Sequence, residues 1–289
     1  MLGFNHVEPG GPPLVVPLSG SVTMIKISVG PVDNNAYLLQ NRSSGSLLID
    51  AANDDDRLLK IISDQPLDTI VTTHRHADHW QALPSIATAT GARLICGQAD
   101  LEAISTGAAV AGIVGVWDGD HVELGTERLE VIGLVGHTPG SITLCYAGTG
   151  MTHLFTGDSL FPGGPGKTNS PEDFTSLMYD LESKIFDRFD DATVVHPGHG
   201  VDTTLGTERP HLAEWRARVG SSRTCLAEFL ATLLLADLSR YIVDVSTGTS
   251  RKQRWSTWVV RTRWVRLGCA SRPAAIRSGA TISVTGSPR

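Results

Sequence analysis

The sequence predicts an α/β (α+β) domain in which helices cover β-sheets. Three observations carry that expectation. Short apolar runs punctuated by Gly, Pro, Asn and Asp follow one another from residue 24 onward, as strands separated by turns do. Further on, runs of this kind mix with stretches whose apolar residues recur at helical spacing. Finally, 289 residues with 41% hydrophobic and 19% charged content can bury a substantial core in water.

Residues 1–21 are rich in Gly and Pro, show no period and read as a flexible N-terminal arm. "MIKISVG" opens the first strand, and Met24 reads as an alternative start. "NAYLLQ" and "SLLID" follow as strands joined by the turn-like "NRSSG". "NDDDRLLKIISDQ" reads as a helix capped by Asn53 or Asp54, its early acidic residues matching the positive end of the helix dipole. "LDTIVTTH" is a strand, followed by a helix from near Asp78 to just before Gly91 and by the strand "RLIC". "HVELGTERLEVIGLV" reads as a hairpin, "SITLCY" and "HLFTG" as strands. Over residues 171–189, Ser170 and Asp173 form a capping box with Pro171 in the first turn, and Phe174, Leu177, Met178, Leu181, Ile185 and Phe186 supply the apolar stripe. "ATVV" is a last strand before "HPGHG".

Charge and cysteine usage exclude several function classes. Residues 1–219 carry 13 Lys and Arg against 27 Asp and Glu, and residues 220–289 carry 11 against 3. So acidic a body disfavours a nucleic-acid partner. Cys96, Cys145, Cys225 and Cys269 stand far apart without a CxxC pair, which fits a reducing cytoplasm and gives no thiolate metal site. The N-terminus lacks a basic leader region, and the longest apolar stretch, "CLAEFLATLLLADL", is short and interrupted by Glu228, so neither a signal peptide nor a membrane span is expected.

The chemistry gathers in "THRHADHW", residues 73–80, at the end of a buried strand. His74 and His76 are alternate residues of an extended segment and can face one partner, while Asp78 and His79 turn toward a neighbouring point. Imidazoles with a carboxylate suit zinc or a similar transition metal. A solvated polar loop is the alternative, but it gives no reason for three histidines after an apolar strand. The pattern recurs downstream. His137 follows a strand in "VGHTPGS", on a turn whose Pro139–Gly140 pair predicts type II geometry. Asp158 follows "HLFTG", and His199 lies between glycines in "HPGHG". His6, His121, His153, His196 and His211 read as surface or hydrogen-bonding residues.

In order these motifs are H-x-H-x-D-H, G-H-T, G-D and G-H. With "DNNAYLL" near the start, the sequence over about residues 24–218 resembles the metallo-β-lactamase superfamily, and within it the glyoxalase II-like hydrolases. That resemblance implies a four-layer αββα sandwich of two mixed sheets with a binuclear centre at one edge. By the same resemblance, His74, His76 and His137 hold one divalent ion, Asp78, His79 and His199 a second, and Asp158 bridges them. Seven ligands are indeed too many for one tetrahedral zinc. Zinc is expected, with iron or manganese as the other candidates. Two such ions, roughly 3.5–4 Å apart, share a hydroxide that attacks an electrophilic carbonyl. Asp78 and Asp158 are then the catalytic carboxylates, and no protein nucleophile is required, so Ser141, Ser159 and Cys145 read as structural.

The resemblance also implies a small-molecule substrate, an S-acyl conjugate of a low-molecular-weight thiol. Gly166 and Lys167 stand where such hydrolases carry a G-K pair toward the thiol's carboxylate, although Thr168 replaces the aromatic residue that normally follows. The family's C-terminal glutathione-binding helices are not recognisable. A lactone or other ester, persulfide oxidation at a single iron, and a non-catalytic metal-binding scaffold are the alternatives. The expected organisation is an arm (1–21), a hydrolase domain (22–218) and a basic, poorly ordered C-terminal extension (219–289) with tryptophans at 255, 258 and 264.

Overall fold

The structure, a computed structural model, describes residues 5–62 and 65–218. The extension 219–289, with the helix expected over "CLAEFLATLLLADLSRYI", lies outside the described residues.

The first sheet follows chain order across all seven strands: β1 (Leu14–Pro17), β2 (Val22–Val29), β3 (Asn34–Asn41), β4 (Ser46–Ile49), β5 (Thr69–Thr72), β6 (Arg93–Gly97) and β7 (Val114–Val116). β1 to β4 are antiparallel, and β4 to β7 are parallel. Parallel neighbours need crossovers, which here are helices: α1 (Asp55–Ile62), α2 (Leu83–Thr90) and α3 (Leu101–Ala108). The second sheet holds β8 (His121–Leu124), β9 (Glu127–Gly133), β10 (Ile142–Ala147), β11 (Thr152–Gly157), β14 (Val194–Pro197) and β15 (Thr203–Thr204), in the order β15-β14-β11-β10-β9-β8. It is mixed too, because β14 runs parallel to β11. Between them in sequence come the small ribbon β12 (Leu160–Phe161) and β13 (Gly164–Pro165), then α4 (Pro171–Asp180).

Strand alternation explains the layers. Met24, Tyr37, Leu39, Ile49, Val71 and Ile95 of the first sheet meet Leu129, Val131, Leu144, Tyr146 and Phe155 of the second in one buried cluster. The opposite face of the first sheet, with Ile27, Leu38, Leu48, Ile70 and Leu94, packs on the three crossover helices. The outer face of the second sheet packs on α4 and on Trp215, through Ile132, Leu154, Val195, Leu177 and Leu181. The result is the four-layer αββα sandwich of two mixed sheets.

Four local expectations are corrected. The arm is not structureless over its length: Leu14–Pro17 pairs antiparallel with Thr23–Lys26, and Leu18 is buried. An edge strand has to satisfy only one side, so the flanking prolines are tolerated. Met24 lies inside β2, opposite Val16. The helix expected from Asp78 is a single 3₁₀ turn, Ala77–His79, and α2 starts at Leu83 with Pro84 in its first turn and left-handed Gly91 at its end. The helix over 171–189 opens as expected, with the Ser170 side chain accepting from the Asp173 N–H at 3.0 Å, but it widens to a π turn over Leu181–Phe186. Gly140 is not left-handed, so the turn after His137 is not type II. Glycine is required there for space: a Cβ would stand 2.4 Å from the Asp100 backbone nitrogen.

Candidate metal centre

Each residue of the expected set follows a strand. His74 and His76 leave β5, Asp78 and His79 occupy the 3₁₀ turn after it, and His137, Asp158 and His199 follow β9, β11 and β14. The strand ends meet at one edge of the sandwich, where the backbone joins the sheets: the Asn35 N–H donates to Gly198 O at 2.8 Å and the Gly198 N–H to Gly157 O at 2.8 Å.

The side chains converge as two groups around one carboxylate. His76 Nδ1 lies 3.0 Å from His74 Nε2 and 2.9 Å from His137 Nε2. His79 Nε2 lies 3.2 Å from His199 Nε2, and Asp78 Oδ2 is 3.6 and 3.4 Å from those two nitrogens. Asp158 stands between the groups. Its Oδ2 is 3.7 Å from His137 Nε2, 4.0 Å from His74 Nε2 and 3.5 Å from His199 Nε2, and its Oδ1 is 3.4 Å from His79 Nε2. All seven residues expected as ligands are therefore brought together.

The outer atoms of the ligand candidates are held by partners. Nδ1–H of His79 donates to Asp50 Oδ2 at 2.8 Å, that of His137 to Lys167 O at 2.6 Å, and that of His199 to Val32 O at 2.9 Å. Each bond turns an Nε2 lone pair into the centre. Asn34 Nδ2 donates to Asp78 Oδ2 at 3.0 Å. Asp50 also accepts from the Thr73 N–H at 2.8 Å and from Thr73 Oγ1 at 2.9 Å, with His74 Nδ1 3.1 Å from that hydroxyl. Asp50 sits at φ 58°, a strained conformation for a residue with a side chain. Sequence reasoning missed it as a site residue. The available signal was an aspartate closing the apolar strand "SLLI", the same placement that marked Asp158.

The donor set fits a cation. Asp158 Oδ1 is buried without a hydrogen-bond partner, which is costly for a carboxylate oxygen unless a positive charge meets it. Burial opposes charge on His79, yet the carboxylates of Asp50 and Asp158 raise its pKa to about 10. Burial likewise opposes charge on His199, which Asp158 and Asp78 raise to about 10. His74 goes the other way, pushed well down by burial and by His79. Burial resists ionisation of Asp158, but His199 and His79 beside its carboxylate hold its pKa far below the usual carboxylate range. The carboxylates thus demand positive charge at a point lined by nitrogen lone pairs. His74, His76 and His137, and likewise Asp78, His79 and His199, bring their ligand atoms close enough together that each group could hold a metal ion to supply it.

Lys167 contributes its backbone carbonyl to His137, and its side chain is exposed. His196 and His153 are buried outside the centre, hydrogen-bonded to each other at 3.0 Å, with His196 also 3.0 Å from Asp202. His6 bonds Asp33 at 2.8 Å. His121 and His211 lie at the surface.

A family model described as the metallo-beta-lactamase superfamily matches residues 29–199. A hydroxyacylglutathione hydrolase of Fuscovulum blasticum is 36% identical over 137 residues, 47% of this chain and 51% of that protein, so the match spans about half of that relative's length. The hydroxyacylglutathione hydrolase GloC of Haemophilus influenzae is 28% identical over 201 residues, 63% of this chain and 93% of that protein. Among solved structures, TTHA1623 in a di-iron-bound form superposes with a TM-score of 0.53 at 26% identity, over 64% of this chain and 96% of that one.

Proposed function

The chain belongs to the metallo-beta-lactamase superfamily, and on that premise we propose that it is a binuclear metal-dependent hydrolase that cleaves S-acyl conjugates of a small thiol. The observation that carries this reading is the position of Asp158, one carboxylate oxygen of which faces both the His74–His137 side and His199. A carboxylate so placed suits two ions, and a solved relative by fold holds two irons. Zinc suits the nitrogen-rich donor set, and iron or manganese would fit it as well. The names of the two hydrolase relatives support a thioester of glutathione type.

Bound divalent ions supply a water acidic enough to ionise near neutrality and polarise the substrate carbonyl. The protein's own groups prepare that chemistry. Asp50, Lys167 O and Val32 O fix the imidazole tautomers, so the centre is organised before substrate arrives. Asp78 is partly exposed, and Asn34 orients its carboxylate. It is placed to hold the proton of the attacking water. Water oxygen then bonds to the acyl carbon, the C–S bond breaks, and the proton ends on the departing thiolate.

Among the described residues no helix is long and apolar enough to cross a membrane. Cys96 and Cys145 are buried free thiols, in keeping with a reducing, cytoplasmic setting. The deciding experiment is metal analysis of the purified chain followed by a panel of thioesters, lactones, lactams, a persulfide and a phosphodiester. Close to two ions per chain, thioester cleavage preferred, and loss of most activity in Asp158→Ala are expected. Full activity after exhaustive chelation would sink the reading, and a preference for lactone or persulfide would reassign the substrate.

A further inference from the structure

Asp100 is fully buried, and both of its oxygens are occupied by donors from two different loops. Oδ2 accepts from the Arg75 N–H at 3.0 Å and from Thr138 Oγ1 at 2.5 Å. Oδ1 accepts from the Gly140 N–H at 3.1 Å, with Arg75 Nε at 3.9 Å. Arg75 is the residue between His74 and His76, while Thr138 and Gly140 immediately follow His137. Those three histidines make up one of the two donor groups. No strand pairing joins these loops, since β5 and β9 belong to different sheets. The loops are drawn together by the Ile142 N–H donating to Thr73 O at 3.0 Å and by Asp100.

The packing around Asp100 is as close as backbone allows. A Cβ on Gly140 would fall 2.4 Å from the Asp100 nitrogen and 2.8 Å from its carboxylate carbon, and one on Gly97 would fall 1.9 Å from Gly140 O. The end of β6 is therefore seated directly on the turn that carries His137. The second donor group is anchored elsewhere, by Asp50 at His79, Val32 O at His199 and Asn34 at Asp78. None of these anchors touches Asp100.

We propose that Asp100 is the positioning residue of the His74–His76–His137 site alone, a clamp that sets the spacing of its two loops and thereby its affinity for a divalent ion. Every neighbour offers Asp100 a donor, so only a carboxylate, with acceptors on both oxygens, satisfies the site. An asparagine of the same shape would turn its amide hydrogens toward either Arg75 N–H or Gly140 N–H, and that loop would be pushed away. Thr138 acts in the same clamp through its hydroxyl, which also lies 2.7 Å from Ser141 Oγ.

The inference rests on the metal-centre reading for its consequence but not for its geometry, so two measurements separate them. In the metal-free chain, Asp100→Asn should speed amide exchange at residues 74–76 and 137–140 while leaving residues 77–79 and 198–200 at the parent rate. In cobalt(II) titrations followed by d–d absorption, the same variant should bind one ion as the parent does and the other roughly 10–100-fold more weakly, the usual cost of losing a partner behind the ligands. Thr138→Ser should bind as the parent does, and Thr138→Val should weaken the same single site. Parent exchange rates in both loops of Asp100→Asn would overturn the clamp whatever the metal content. Equal weakening of both ions would make Asp100 a general fold residue and also overturn it. A parent chain that takes up no cobalt would defeat the binuclear reading, with the exchange result still deciding the clamp.

Discussion

Gly198 and Asp158 touch so closely that no side chain fits between them. A Cβ built on Gly198 would stand 2.3 Å from Asp158 Oδ1 and 2.6 Å from His79 Cε1. Gly198 precedes His199 and its N–H donates to Gly157 O at the end of β11, so the glycine lets the backbone of one candidate ligand loop lie against the carboxylate of another. Gly198→Ala should therefore move Asp158 and His79 together. We expect metal affinity and thioester turnover to fall by at least about tenfold while the fold survives, as overpacking by one methyl costs roughly 1–3 kcal/mol. Metal content and circular dichroism measured on one preparation check this. Full metal content would contradict the geometry.

The exposed side chain of Lys167 is proposed to meet a carboxylate on the thiol half of the substrate. The bond from His137 uses the Lys167 carbonyl, so Lys167→Ala keeps that partner and isolates the side chain. KM for the best thioester should rise several-fold with kcat little changed, the signature of lost uniform binding. An unchanged KM would remove Lys167 from the substrate site.

His153 should make the fold sensitive to acid. It is buried beside His196, whose far nitrogen meets Asp202, which in turn binds the buried Lys26 at 2.8 Å. Tyr37 and Phe155 face the His196 ring. Burial, and next the neighbouring His196, lower the His153 pKa from 6.5 to about 4. Between these values the unfolded chain takes up the proton and the folded one does not. Stability is thus full above about pH 6.5 and falls as the pH drops toward 4. His153→Phe should be less stable at neutral pH, having lost a hydrogen bond, yet show a flatter decline between pH 7 and 5. Thermal melts of parent and variant give the comparison, and equal slopes would refute the assignment.

The candidate ligand set ends at His199, and the third core cluster closes on Trp215 against Phe186. Removing the basic segment after residue 219 is therefore expected to leave metal content and thioesterase activity in place. A loss beyond about tenfold in kcat/KM at matched metal occupancy, or ~1.4 kcal/mol, would instead make that segment part of the substrate site.

Strands β2 to β6, β8 to β11 and β14, and the strand-end placement of all seven convergent side chains, were legible in the chain, because each rests on short-range rules. An apolar run with turn residues at its end specifies a strand, and a histidine or aspartate directly after it lies at that strand's end. The edge strand Leu14–Pro17 was not legible, since its stability comes from pairing with β2 rather than from its own Pro-flanked residues. The helix α3 was missed for a similar reason: "LEAISTGA" carries a glycine and β-branched residues, and burial of Ile104 and Ala108 against the first sheet decides its state.

What the sequence by itself determined is therefore the class of fold and the chemistry available at one edge of it. Only the tertiary structure decided which atoms face the centre and what holds them there. Asp50 is 29 residues from His79, and Asp100 is 38 from Thr138, yet each pair is within hydrogen-bond distance. No local pattern predicts such bonds, because an aspartate at a strand end becomes a ligand, an anchor or a clamp according to what the packed sheets set opposite it.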